Sequence, residues 1–276
     1  MMVRAALFAA SGRAPAERIE AGLARARQLG WVPGELPRSA VAAPGQYLAG
    51  DDDERVMSLR QALDADAAVA WAVRGGYGVT RLDLDGLPLT HKPVIGFSDV
   101  TALLAAVFQA GGRALHGPVV TSLAQADDAS VSALMDAVRA APRTWRLTPQ
   151  EGAFSGPLIG GNLEVLTRLI GTPNQVSFAG RVVVLEEVGE PWYRSDRALT
   201  HLLNATDLAR ACAVVWGEFV DCEEGSVTRH QRRLQALGIP CWTGAPVGHG
   251  IRNHAFIWGE SVRCQGGHME LSGVMA

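Results

Sequence analysis

Seven consecutive apolar residues, AAVAWAV at 67–73, run directly into Arg74-Gly75-Gly76-Tyr77-Gly78. A strand with one face in water alternates apolar and polar residues. One that is apolar throughout has to be covered on both faces, as a central strand of a parallel sheet is. A second such run, PVIGF at 93–97, leads into Ser98-Asp99-Val100-Thr101 and a helical stretch at 102–108. Upstream, an apolar strand at 5–10 ends in Ser11-Gly12, and 15–30 has the helical spacing of Ile19, Leu23 and Leu29 before Gly30. AGDDDER at 49–55 opens another helix, with Asp52 or Asp53 as N-cap and Met57, Leu59 and Leu63 along it. Alternating strand and helix predicts an α/β fold. Two strands ending in unusual turns about 25 residues apart predict a site at the carboxyl ends of a parallel sheet.

The 276 residues suffice for one large domain or two modest ones. A formal net charge of -3 and the absence of a basic stripe argue against a nucleic-acid partner. No apolar run approaches the ~18 residues of a membrane span. The segment MMVRAALFAASGRAPA mimics a signal peptide, but its apolar stretch at 5–10 is shorter than the roughly 7–15 residues of an h-region. A first strand of a cytoplasmic protein is expected instead. Cys212, Cys222, Cys241 and Cys264 contain no CxxC pair, so neither a zinc knuckle nor a disulfide scaffold is expected. Of the 25 basic residues only Lys92 is a lysine, so a Walker loop or Schiff base would depend on it. Six residues of extended chain at ~3.3 Å each put Lys92 at the far end of its strand from Ser98, where it cannot serve as base.

After a helix at 131–140 the texture changes to Pro, Gly, Thr and Ser at 142–157. The expected organisation is a domain at 1–145, a linker at 146–158 and a second domain at 159–276. In the second half, Gly160-Gly161-Asn162 precedes a helix at 163–170, and RVVVL at 181–185 ends in Glu186-Glu187. A helix at 195–203, a strand at 212–216, a turn at 221–225 and a helix at 227–237 follow. The alternating stretch 240–271 is broken by Gly248-His249-Gly250.

Four groups could carry chemistry. Ser98, on a tight strand-to-helix turn, outlines a nucleophile elbow whose following amide can stabilise an oxyanion, although Val100 replaces the last glycine of G-x-S-x-G. The plainer reading is that Ser98 or Asp99 caps the next helix. The Gly75-Gly76 turn can aim backbone amides at an anion, with a plain turn as the alternative. Glu186, Glu187 and Glu190 cluster at a strand end, where carboxylates are usually solvated. His249 between glycines suits a mobile proton carrier, although a lone turn histidine is often incidental. Together they supply nucleophile, oxyanion donors, acid and base in the order Ser, Glu, His.

The stretches RGGYGVTRL (74–82), GFSDVTALL (96–104), GGNLEVLTRLIGT (161–172 with Gly160 before it), LEEVGEPWYRSDRAL (185–199), GEFVDCEEG (217–225) and GHG (248–250) resemble the blocks of the LD-carboxypeptidases. That serine-peptidase family includes the microcin C self-immunity hydrolases. The resemblance implies a flavodoxin-like parallel-sheet N-terminal domain and a smaller swivelling β/β/α C-terminal domain, with the active site in the cleft between them. It implies Ser98 as nucleophile, Glu186 rather than Glu187 as orienting acid, and His249 as base. The oxyanion hole would be the amides of Asp99, Gly75 and Gly76, with Tyr77 as a substrate-binding residue. The implied reaction is removal of the terminal D-alanine from muropeptide tetrapeptides, after meso-diaminopimelate or L-lysine, in cell-wall recycling. No metal or cofactor is required, and a cytoplasmic homodimer is expected. The alternatives are a microcin-type hydrolase of acyl-sulfamoyl or peptidyl adenylates and a non-catalytic α/β ligand-binding module.

Overall fold

A computed structural model describes residues 2–276. The chain forms two compact units, Met1–Ala126 and Asp127–Ala276.

The first unit alternates β1 (Val3–Phe8), α1 (Ala16–Gln28), β2 (Trp31–Pro33), α2 (Asp52–Asp64), β3 (Val69–Ala72), β4 (Val94–Gly96), α3 (Thr101–Gln109), β5 (Ala114–His116) and α4 (Val120–Leu123). Its strands are all parallel, in the spatial order β2-β1-β3-β4-β5. This is the flavodoxin-like arrangement, with β3 in the centre as its unbroken apolar run requires. All four residues of β3 are buried. Trp71, the largest of them, donates its indole N–H to the Pro118 carbonyl at 2.8 Å, so the bulk is buried without leaving a polar atom unmatched. Helix α1 lies against the start of α4. A Cβ at Gly22 would stand 1.9 Å from the Val120 carbonyl oxygen, so only glycine permits that approach. Helix α2 begins one residue earlier than expected: Asp51 is the N-cap, accepting from the Glu54 N–H at 2.8 Å, while Glu54 accepts from the Asp51 N–H at 3.0 Å. This reciprocal capping box needs Glu three residues after the cap, which Asp52 and Asp53 lack.

The second unit comprises α5 (Asp128–Val138), β6 (Arg143–Arg146), β7 (Ala153–Asn162), α6 (Leu163–Arg168), β8 (Val182–Val188), α7 (Trp192–Ala205), β9 (Ala213–Val220), α8 (Ser226–Ala236), β10 (Cys241–Thr243), β11 (Phe256–Ile257), β12 (Glu260–Gln265) and β13 (His268–Met275). Its mixed sheet runs β10-β9-β8-β7-β12-β13-β6. The first four strands are parallel and the pairings from β7 through β12 and β13 to β6 are antiparallel. Arg143 crosses from β6 to Glu260 at 2.6 Å, both side chains nearly fully buried, and Glu260 also accepts from the Ile257 and Gly273 amides.

The division between units falls at Ala126/Asp127, ahead of the expected linker at 146–158. Arg146 pairs with His268 and Ala153 with Gln265, so both ends of that segment are strands of the second sheet. Between them Thr148 N–H donates to the Thr243 carbonyl and the Gln150 amide to the Cys241 carbonyl. The polar, proline-rich texture therefore belongs to a loop inside a domain. With α5 and β6 included, the second unit is the longer of the two.

Candidate active site

Ser98 follows β4 and opens a 3-10 turn, Ser98–Val100, that leads into α3. Its φ of 62° is left-handed, a conformation that costs an L-residue roughly 1–2 kcal/mol and is retained where the surroundings impose it. Those surroundings are glycines. A Cβ at Gly96 would lie 2.4 Å from Val100 Cγ1, so Val100 occupies the space that a second elbow glycine would otherwise leave open. A Cβ at Gly75 would lie 2.9 Å from Ser98 Cβ and 3.2 Å from its Oγ. The glycine turn thus passes directly against the Ser98 side chain. Among the described residues the Gly75 and Gly76 N–H groups donate to no protein acceptor, and the Asp99 N–H lies in a first helical turn, where intrahelical acceptors are lacking. Tyr77 is half exposed on the same turn.

Neither Ser98 nor Asp99 caps α3, contrary to the plainer reading of the sequence. Asp99 is buried and turns away, its Oδ2 accepting from Ser11 Oγ at 2.6 Å and from the Val79 N–H at 3.0 Å. Burial pushes its pKa up, while the Ser11, Val79 and Gly78 hydrogen bonds and the Arg55 charge hold it back. Arg55 escaped the sequence reading. It is fully buried, donates through Nη1 to the Ala10 carbonyl at 2.7 Å and the Gly78 carbonyl at 2.8 Å, and pairs with Asp52. It thereby ties the end of β1 to the glycine turn. The available signal was its position on the buried face of α2, in register with Leu59, Ala62 and Leu63. Lys92 donates to the Ala65 carbonyl at the end of β4 away from Ser98, as its spacing predicts.

In the second unit β8 continues through Glu186 and Glu187 to Val188, so these carboxylates lie on a strand and are buried, not solvated at a turn. The flanking strands extend as far: Asn162 of β7 is opposite Glu186, and Phe219 of β9 is opposite Glu187, with a bulge after Leu185. The two acids have different partners. Glu186 Oε2 is 2.7 Å from His249 Nδ1. Glu187 accepts from Asn162 Nδ2 at 2.8 Å, the Glu164 N–H at 2.9 Å and the Val188 N–H at 2.9 Å, which fastens the start of α6 to β8. Burial and the adjacent Glu186 charge push Glu187 up to about 7, against the pull of those three donors. Burial opposes protonation of His249, but the Glu186 charge and hydrogen bond, with help from Glu187, outweigh it and raise its pKa above the ordinary imidazole value. The imidazole keeps 16% exposure while Glu186 has none, so the histidine has an accessible edge and the acid does not. The glycines beside it serve a purpose other than uncrowding the ring. A Cβ at Gly248 would lie 2.7 Å from Glu218 Cβ and one at Gly250 2.5 Å from Glu218 Oε2, so both allow the loop to lie on β9.

The LD-carboxypeptidase N-terminal domain profile matches residues 5–117, and the C-terminal domain profile matches 155–264. The chain belongs to the LD-carboxypeptidase family. The murein tetrapeptide carboxypeptidase of Pseudomonas aeruginosa is 34% identical over 292 residues, covering 96% of this chain and 94% of that one. Among solved structures, the muramoyltetrapeptide carboxypeptidase of Oxalobacter formigenes superposes with a TM-score of 0.84 at 23% identity, covering 97% of each chain. The microcin C7 self-immunity protein MccF in complex with aspartyl sulfamoyl adenosine gives 0.84 at 17% identity, covering 98% of this chain and 96% of that one. At those identities the two structures establish the fold. Membership of the LD-carboxypeptidase family makes the protein a peptidase, and every candidate residue lies within a matched segment.

The second unit of this LD-carboxypeptidase also holds a cluster of serine, histidine and acid within itself. Ser195 Oγ is 2.9 Å from His230 Nε2, and Asp196 is 4.0 Å from its Nδ1. Both Ser195 and His230 are buried, the imidazole stacks on Trp216, and burial lowers its pKa to about 4. Without access for a substrate, this set acts as a hydrogen-bonded link between α7 and α8.

Proposed function

We propose that this LD-carboxypeptidase is a serine peptidase that removes the terminal D-alanine from murein tetrapeptides, cutting the amide that joins it to the L-centre of meso-diaminopimelate or L-lysine. The observation that carries the proposal is the 2.7 Å contact between buried Glu186 and His249. A carboxylate only accepts, so the contact favours a proton on Nδ1 and leaves Nε2 as the basic nitrogen. In this reading His249 takes the Ser98 proton, and Ser98 Oγ attacks the carbonyl carbon of the scissile amide. The amides of Asp99, Gly75 and Gly76 receive the developing oxyanion. His249 returns the proton to the departing D-alanine nitrogen, and water, activated in the same way, releases the peptide from Ser98. Tyr77 lines the substrate path. The Pseudomonas aeruginosa relative supports the substrate class. Four free cysteines suit a reducing compartment, and the reading assigns the protein to the cytoplasm as a homodimer.

The 17% identity to MccF leaves hydrolysis of acyl-sulfamoyl adenylates as the weaker reading. The test is to incubate one preparation with a murein tetrapeptide and, separately, with aspartyl sulfamoyl adenosine. D-Alanine release with little turnover of the nucleoside supports the proposal, and the reverse preference overturns it.

A further inference from the structure

An enzyme that removes one residue from a carboxyl terminus has to recognise a carboxylate very near the bond it cuts. In the leaving amino acid the carboxylate carbon is three bonds from the scissile carbonyl carbon, about 3–4 Å away. The cation that reads it must therefore stand beside the nucleophile and the oxyanion donors. Several cations of the first unit that stand near the end of β1, the glycine turn or β4 are engaged. Arg13 donates to the Leu48 and Val41 carbonyls, Arg55 to the Ala10 and Gly78 carbonyls, Arg81 pairs with Asp52, and Lys92 is held by Ala65 at the far end of β4. Arg74 differs. It immediately precedes Gly75, the residue in contact with Ser98. The residue is half-buried, and its guanidinium stands beside Gly12, 6.0 Å from the centre of the Tyr47 ring. Among the described residues it has neither an acceptor nor an acidic partner.

We propose that Arg74 is the specificity-determining residue that binds the terminal carboxylate of the substrate. A planar guanidinium offers two parallel N–H donors to a carboxylate, and one without a partner in the free protein gives up no internal ion pair to do so. Tyr47 flanks the guanidinium, and Gly12 and Gly76 let its ring come close to the turn: a Cβ at Gly76 would stand 2.7 Å from the Tyr47 hydroxyl. The inference rests on the peptidase reading above and adds the basis of its selectivity for a free carboxyl terminus.

The test compares a tetrapeptide ending in D-alanine with the same peptide ending in D-alaninamide, for the wild type, Arg74→Met and Arg74→Lys. A fluorophosphonate without a carboxylate reports on Ser98 independently. The wild type should prefer the acid by about 10²-fold or more in kcat/KM. Arg74→Met should lose that preference through the acid alone, with the amide rate and Ser98 labelling within about threefold of wild type, and Arg74→Lys should fall between. Retention of the acid preference in Arg74→Met overturns the inference. So does an equal loss of both substrates and of labelling, which would mark Arg74 as a support of the turn. Absence of D-alanine release by the wild type, or its persistence in Ser98→Ala, would instead remove the underlying peptidase reading.

Discussion

At the scale of single residues, the first half of the candidate machinery is shaped by what is missing from two side chains. Ser98 keeps a left-handed φ because Gly96 and Gly75 let Val100 and the following turn close around it. Gly75→Ala, with no positive φ to complicate it, should leave the fold intact by circular dichroism. It should nevertheless lower D-alanine release by about 10²-fold, since the added carbon, 2.9 Å from Ser98 Cβ, pushes the nucleophile aside by up to about 1 Å. In the second unit the charge of Glu186 favours the imidazolium of His249, whose pKa is raised. A base works only when neutral, so kcat/KM should fall as pH drops through that raised value. Glu186→Gln removes the charge, so the acid limb should move to lower pH while the plateau falls by about 10²–10⁴-fold. A pH-rate profile of both proteins checks the sign. An unmoved limb would assign the titration to another group. The pairing of Glu186 with His249 was legible only as a family resemblance. In the residues alone, Glu186 and Glu187 were equivalent, because nothing local distinguishes which acid meets a histidine 63 positions later.

At the scale of elements, apolar runs revealed the strands well and their ends poorly. β3 was evident from AAVAWAV, whereas RVVVL suggested a strand ending before the acids. Hydrogen bonding to β7 and β9 carries β8 two acids and a valine further, and polarity was the wrong guide because Asn162, Glu164 and Val188 satisfy Glu187 internally. Glu187→Ala would strand those three donors and should cost about 2–4 kcal/mol in urea unfolding. Helix packing has its own requirement at Gly22. Gly22→Ala places carbon within 1.9 Å of the Val120 carbonyl, which outweighs the helix propensity gained and should destabilise by about 1–3 kcal/mol. A neutral or stabilising result in the same assay would mean that α1 is free to shift from α4. Asp99 looked like a cap, and Arg55 carried no assignment beyond its place in a helix. Their partners, Ser11, Val79, Ala10 and Gly78, lie on other elements, where no local rule could find them.

At the scale of the whole molecule, the α/β class and the parallel first sheet followed from alternation and burial, but the division of the chain did not. A loop rich in proline and glycine resembles a linker whether it joins domains or crosses within one, and only the strand pairing of Arg146 and Ala153 distinguishes them. The two profiles assign residues 5–117 and 155–264 to the N- and C-terminal domains of the LD-carboxypeptidases. A serine mechanism asks for no metal, so D-alanine release should survive exhaustive chelation; loss of activity restored by added zinc would contradict that chemistry. The most direct test of the account is D-alanine release from a murein tetrapeptide by wild type and Ser98→Ala, measured alongside fluorophosphonate labelling. Ser98→Ala should show a fall of at least about 10³-fold, with labelling abolished and the unfolding transition retained. Turnover in Ser98→Ala within about twofold of wild type would contradict it.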